Sequence, residues 1–194
     1  MAYEAQNFDH LLGTTGFSDV LMQNHFTLYQ GYVKNTNLIL EKLEALHKAG
    51  DTGPEYAEMK RRFGWEFNGM RLHEYFFGNM TKDAGDPEQS LELVKKLEQQ
   101  FGSFEAWADD FKALAAMRGI GWAILVHDTK ADRLINVWSD EHDTGHLAGT
   151  NPLMMLDVFE HAFMLDYGMK RADYINAFFK VIDWQEVNSR YAKA

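Results

Sequence analysis

The chain contains no cysteine. Disulfides, thiolate nucleophiles and cysteine-ligated metal sites are therefore excluded together, and a reducing compartment fits. No uninterrupted apolar stretch approaches the length of a membrane span, so no membrane partner is expected. The opening residues 1–7 have neither a basic n-region nor an apolar h-region, which predicts no signal peptide and a cytoplasmic location. Basic charge is in short supply. Lys and Arg number 19 against 29 Asp and Glu, and the net charge is −10. General nucleic-acid binding needs basic surface and is not expected. Repeats, linkers and low-complexity tracts are absent. Aromatic residues, by contrast, are plentiful at 14 Phe, 8 Tyr and 5 Trp. Large aromatics supply much buried area and predict a solid core. A length of 194 residues suffices for one good-sized domain or two small ones sharing a core.

Residues 1–16 show little periodicity and read as an irregular lead-in. Ser18 is a suitable N-cap. From there Val20, Leu21, Leu28, Tyr32, Thr36, Ile39, Leu43 and Leu46 recur at three- and four-residue steps, the pattern of a long amphipathic helix or two abutting ones. Gly50 to Pro54 ends it, and a second helix runs from about Pro54 to Met80. Two long helices joined by a short loop make an antiparallel hairpin. Asp86-Pro-Glu-Gln89 predicts a capped helix start, and the helix runs to about Gln100. Ser103 caps another that ends near Arg118. The chain then changes character. Trp122–Val126 and Leu134–Trp138 are rich in strand formers and predict a hairpin, with Leu153–Leu156 as a third strand. Helical patterns follow at 171–180 and 183–192. Helices, then a short antiparallel sheet, then helices predict an α+β fold. The expected division is a helical hairpin domain over residues 1–84 and, over residues 85–194, a C-terminal domain with a three-stranded antiparallel sheet flanked by helices.

The chemistry concentrates in residues 152–163. Leu153–Leu156 is uncharged and apolar. Asp157 then stands where the pattern predicts another hydrophobe, with Glu160 and His161 close behind. Buried charge is costly unless it is paired or bound to a metal. Asp157 and His161 are four apart, so one helical turn would put both on one face. Half a metal site and a plain Asp–His hydrogen bond both satisfy this stretch. His25 in the first helix and His73 in the second lie on aromatic faces. Each alone reads as a core histidine. Two on facing helices fit the way bundle cores hold metals.

Asp157-Val-Phe-Glu-His-Ala162 resembles the Asp-x-Trp-x-His signature of the iron/manganese superoxide dismutases. Asp166-Tyr167, Arg171-Ala-Asp-Tyr174 and Val181-Ile-Asp-Trp184 are similar to that family's C-terminal helices in order and spacing. Phe101-Gly-Ser-Phe104, Gly119-Ile-Gly-Trp122 and Tyr32-Val-Lys-Asn-Thr-Asn37 resemble its middle and first-helix motifs. The likeness spans nearly the whole chain from about residue 17. It implies one iron or manganese ion per subunit, between hairpin and C-terminal domain, held by His25, His73, Asp157 and His161. Imidazoles and a carboxylate suit those metals. It further implies conversion of two superoxide anions and two protons to oxygen and hydrogen peroxide. Tyr32, Trp122 and a loop donor, His142 in preference to His146, would serve around the metal. A homodimer would pair Glu160 with His161 of the other subunit. Arg171 matches a position near the substrate funnel, and Lys34 is a second candidate cation there.

The chain also departs from the pattern. Eight residues usually separate the first His from the gateway Tyr; His25 and Tyr32 are seven apart. Loss of a π-bulge would absorb the deletion. Leu28 and Met164 stand where the family places a His and a Tyr, and Phe159 replaces the signature Trp. Gly69 stands at the iron-type Gln position, which predicts an empty place and makes His142 the outer donor. Histidine titrates near neutrality, so activity is expected to vary with pH between roughly 6 and 8 in a way that His142→Gln would flatten. A di-iron carboxylate bundle is the other metalloenzyme weighed; Glu44-Ala-Leu-His47 supplies one E-x-x-H and no second exists. The remaining alternative is a metal-binding dimeric homologue that lacks dismutase activity.

Overall fold

The computed structural model describes residues 2–88 and 91–193. Helix α1 (Asp19–Lys48) begins where Leu21 N donates to Ser18 Oγ at 3.1 Å. Its buried stripe is Leu21, Met22, His25, Phe26, Tyr29, Val33, Thr36, Ile39 and Leu43. At 100° per residue Leu28 falls at the edge of that stripe and Val20 beyond it. Both are exposed, at 36% and 59%, contrary to the periodicity reading. Helix α1 is α-helical without interruption from His25 through Gly31 to Tyr32. The shortened spacing is thus absorbed with no π-bulge in place. Helix α2 (Pro54–Gly78) starts with Pro54 in its first turn and packs antiparallel on α1.

Helix α3 (Glu92–Phe101) starts later than the sequence predicts and has no side-chain cap. The expected capping box runs into Gln89, which lies outside the described residues. Helix α4 (Phe104–Ala115) does carry its predicted cap, with Ala106 N donating to Ser103 Oγ at 3.1 Å. Strands β1 (Gly121–Asp128), β2 (Arg133–Asp140) and β3 (Thr150–Asp157) form one antiparallel sheet in the order β2-β1-β3. Every strand is longer than its apolar run, because ladder hydrogen bonding is made by the backbone and continues past the apolar side chains. In β3, pairing begins at Thr150 although the apolar run begins at Leu153. Three helices close the chain: the short α5 (Met164–Tyr167), α6 (Arg171–Phe179) and α7 (Trp184–Ala192).

The core is continuous from hairpin to sheet. Phe76 and Phe77 of α2, Trp107 and Phe111 of α4, Trp122 and Leu125 of β1, and Phe178 of α6 all belong to it. Each such side chain contributes roughly 1.5–3 kcal/mol by leaving water. One buried polar junction sets α2 against β3. Asn79 Nδ2 donates to Met155 O at 2.8 Å. Arg190, reaching in from α7, donates to Asn79 Oδ1 and to Leu153 O, each at 2.9 Å. The C-terminal helix thereby fixes the distance from His73 on α2 to Asp157 at the end of β3.

Candidate metal centre

Asp157 is the last residue of β3, paired with Trp122 of β1. His161 lies in a 3-10 turn over Glu160–Ala162, not on a helix shared with Asp157. The four-residue spacing works differently from the single helical turn the sequence suggested. The strand ends at Asp157, Asp157 Oδ1 accepts from Phe159 N at 2.8 Å, and the chain folds back on itself. Tyr174 Oη donates to Asp157 O at 2.7 Å and holds the strand end. With Oδ1 used by Phe159, Oδ2 is left facing the core.

Three imidazoles converge on that oxygen. His25 Nε2 and His161 Nε2 each lie 3.1 Å from Asp157 Oδ2, and His73 Nε2 lies 3.4 Å away. His25, His73 and Asp157 are buried; the side chain of His161 is 29% exposed. His73 Nδ1 is 2.5 Å from Gly69 O, an acceptor only, so the ring proton sits on Nδ1. Nε2 of His73 then carries a bare lone pair. It is buried without a hydrogen-bond partner, its approach to Asp157 being close but misaligned. An orphaned lone pair costs free energy unless something accepts it. All four ligand atoms lie within 4.8 Å of one another. Three nitrogens and one carboxylate oxygen aimed at a common point fit a single small metal ion.

The electrostatics agree. Burial depresses His73 well below the usual imidazole range, and the neighbouring His25 adds to this. Burial also lowers His25, against its hydrogen bond to Asp157. Both are therefore neutral, as metal ligation requires. Burial would raise Asp157, but its interactions with His161 first and with His25 second outweigh this and hold the carboxyl well below its ordinary value.

A second ring of side chains surrounds these four. Seven residues along an α-helix leave two side chains only about 20° apart, so Tyr32 projects beside His25. Its ring stacks on His73, with centroids 5.2 Å apart. A Cβ on Gly69 would lie 2.6 Å from Tyr32 Cδ1. The place expected to be empty is filled by the Tyr32 ring, and any side chain at 69 would displace it. His142 is fully buried, whereas His146 is exposed and spends Nε2 on His142 O, at 2.9 Å, and on Ser139 Oγ. Trp122 Nε1 donates to His142 Nδ1 at 3.0 Å. Indole N–H is a donor only, so Nδ1 is the bare nitrogen and Nε2 carries the proton. His142 Nε2–H then donates to Tyr32 Oη at 2.9 Å. Tyr32 keeps its own hydroxyl proton, and burial raises its pKa further.

Two expectations change here. Both ring nitrogens of His142 are engaged, Nδ1 by Trp122 and Nε2 by Tyr32, so neither is left to face the candidate ligands directly. Burial lowers His142 to about 4, which leaves it neutral across pH 6–8 and removes the expected titration there. Arg171 changes role as well. Its guanidinium donates to the carbonyls of Met117, Gly119 and Val158, pinning the 117–119 turn to the segment after β3, so its N–H groups serve the backbone. Lys34 is exposed. Sequence reasoning missed Phe159 as a wall: it stacks between His142 at 4.8 Å and His161 at 5.1 Å. It also missed Trp65, 4.6 Å from His142. An aromatic residue two turns before a ligand on the same helix was the available signal.

The family model for iron/manganese superoxide dismutases, C-terminal domain, matches residues 88–190. The chain is 40% identical to superoxide dismutase [Mn] 2 of Haloferax volcanii over 90% of its own length and 86% of that protein's. It is 40% identical to superoxide dismutase [Fe] of Aquifex pyrophilus over 96% of its length and 90% of the relative's. It is 41% identical to superoxide dismutase [Mn] of Haloarcula marismortui, over 90% and 85%.

Proposed function

The chain belongs to the iron/manganese superoxide dismutase family, and we propose that His25, His73, Asp157 and His161 hold the one iron or manganese ion on which that activity depends. The reaction joins two superoxide anions and two protons into oxygen and hydrogen peroxide. Held there, the metal would supply the one-electron redox chemistry, cycling between +3 and +2. The observation that carries the ligand assignment is the convergence of three imidazole nitrogens on Asp157 Oδ2. Relatives named for manganese and for iron are equally similar, so either metal fits.

The chain's own residues supply the rest. Asp157 offsets the positive charge in a buried site. Phe76, Phe77, Trp122 and Phe159 exclude water, which strengthens each hydrogen bond inside. Tyr32 holds a proton at Oη beside the ligands. His142 orients that hydroxyl by donating to it, and Trp122 fixes the His142 tautomer. Tyr32, His142 and Trp122 thus form one directional relay.

The same reading includes a cytoplasmic homodimer, with the boundary between hairpin and C-terminal domain near residue 84. No helix among the described residues is long and apolar enough to cross a membrane. In support of the dimer, Glu160 is exposed and lines a cleft of about 550 Å³ together with Arg118, Ile120, Met164, Met169 and Arg171. A monomer by sedimentation at micromolar concentration would count against it. The test of function is superoxide decay beside metal content. Activity that scales with bound iron or manganese is expected, and His73→Ala should abolish both. Stoichiometric metal without activity would make the chain a metal-binding homologue instead.

A further inference from the structure

Trp65 is not part of the relay, yet its ring packs against two of the relay's members, His142 and Tyr32. It lies on α2, and its ring centroid is 4.6 Å from that of His142 and 5.5 Å from that of Tyr32. Its Nε1–H donates to Glu141 Oε2 at 2.7 Å. The indole is itself held in place. The guanidinium of Arg62 lies 3.7 Å over its ring, and Arg62 donates through Nε and Nη2 to buried Glu66 at 3.0 and 2.8 Å. One tryptophan on the hairpin therefore grips the loop between β2 and β3 by a charge-assisted hydrogen bond.

The residue it grips has an unusual backbone. Glu141 has φ of 48°, a left-handed conformation that a side chain other than glycine or asparagine rarely adopts. Such a residue persists only where its surroundings over-determine it. The turn has a clear effect. Glu141 is exposed and the next residue, His142, is fully buried and aimed at Tyr32. Glu141 N donates to Ile120 O at 3.2 Å, which holds the backbone from one side. The Trp65 bond holds the side chain from the other.

We infer that Trp65 is a positioning residue for the dismutase reaction: through Glu141 it clamps the loop that carries His142 against α2, and so sets the contact between His142 and Tyr32. This rests on the assignment of His142 as the partner of Tyr32. An indole that merely fills space would behave differently, because only the clamp needs the N–H.

The test uses metal-loaded protein with five variants: Trp65→Phe, Glu141→Ala, Glu141→Gln, the Trp65→Phe/Glu141→Ala double and, as reference, His142→Ala. Three quantities are read: metal content, superoxide decay, and amide hydrogen exchange over residues 141–147. Trp65→Phe keeps a ring and loses the N–H. It should raise exchange in that loop by about ten-fold, the factor for losing one hydrogen bond to a charged group, and lower turnover at unchanged metal content. Glu141→Ala should do the same. Glu141→Gln keeps an acceptor and should recover most of what Glu141→Ala loses. The double variant should be no worse than either single one, since both remove one interaction. Trp65→Phe with unchanged loop exchange and unchanged turnover overturns the clamp. If Trp65→Phe does not fold, the exposed Glu141→Ala carries the same comparison, and unchanged exchange there overturns it too. If His142→Ala retains full turnover, the assignment of His142 fails and the clamp loses its role in the reaction, whatever the loop exchange shows.

Discussion

Two His–Asp contacts lie near opposite ends of β1, and they have the same length. His25 Nε2 is 3.1 Å from Asp157 Oδ2 beside the first turn of the strand, and His127 Nε2 is 3.1 Å from Asp132 Oδ1 beyond its far end. Their surroundings differ. The side chain of Asp157 is wholly buried and its free oxygen faces three imidazoles. That of Asp132 is 65% exposed, and its other oxygen is taken by Lys96. In the first place a buried carboxylate lies among three imidazoles, two of them depressed by burial, with no Lys or Arg beside it. In the second the balancing cation is already there. Distance alone thus says nothing about metal binding; burial and the count of uncommitted lone pairs decide it. Both pairs would pass a search for acid–imidazole neighbours, and one fits an ion.

The largest test of this contrast removes each acid in turn. Asp157→Ala should abolish stoichiometric metal binding, as measured by elemental analysis after dialysis, while Asp132→Ala should leave metal content unchanged. Tight metal in the Asp157 variant would end the argument from burial. Next in size is His142→Ala, which leaves the four ligands in place but removes the partner of Tyr32. Metal content should persist and turnover should fall by about ten-fold or more, the worth of a buried hydrogen bond. His142→Gln should restore part of it, and the wild-type profile should show no inflection from His142 between pH 6 and 8. Acid is a gentler probe. His25, His73 and His142 are all depressed by burial. The unfolded chain therefore binds more protons than the folded one below about 6.5, and metal-free stability must fall as pH drops from there toward 4. Each of these histidines adds a slope of at most about 1.4 kcal/mol per pH unit. Denaturant melts of the metal-free chain at several pH values would measure it; a flat profile would mean the three are not buried neutral. The smallest effect belongs to Asp132→Asn. It removes an exposed ion pair at a residue with positive φ that Asn tolerates. Turnover should be unchanged, and any loss of melting temperature should vanish in high salt.

Much of the fold is legible in the residues, because periodicity follows burial. The caps at Ser18 and Ser103, the three strands and the last two helices all appear near their expected places. The start of α3 does not, since local capping chemistry does not decide where packing against α7 begins. The four candidate ligands stand out as polar residues in apolar runs. The outer ring is less visible. Which nitrogen of His142 carries a proton depends on Trp122, twenty residues away in sequence. That Gly69 makes room for the Tyr32 ring is a fact about two helices, and nothing in either segment announces it. Arg171 reads as a surface cation until its three carbonyl acceptors are seen.

The contact between His25 and Asp157 spans 132 residues of chain. No partly folded segment therefore holds the complete set of ligands, and the site can form only once hairpin and sheet have met. Long-range closures of this kind come late in folding. An ion that binds only the finished arrangement leaves the folding barrier where it was and deepens the well behind it. The metal should accordingly act as a brake on opening. Its loading should slow unfolding in proportion to the stability it adds and leave the refolding rate of the chain almost untouched.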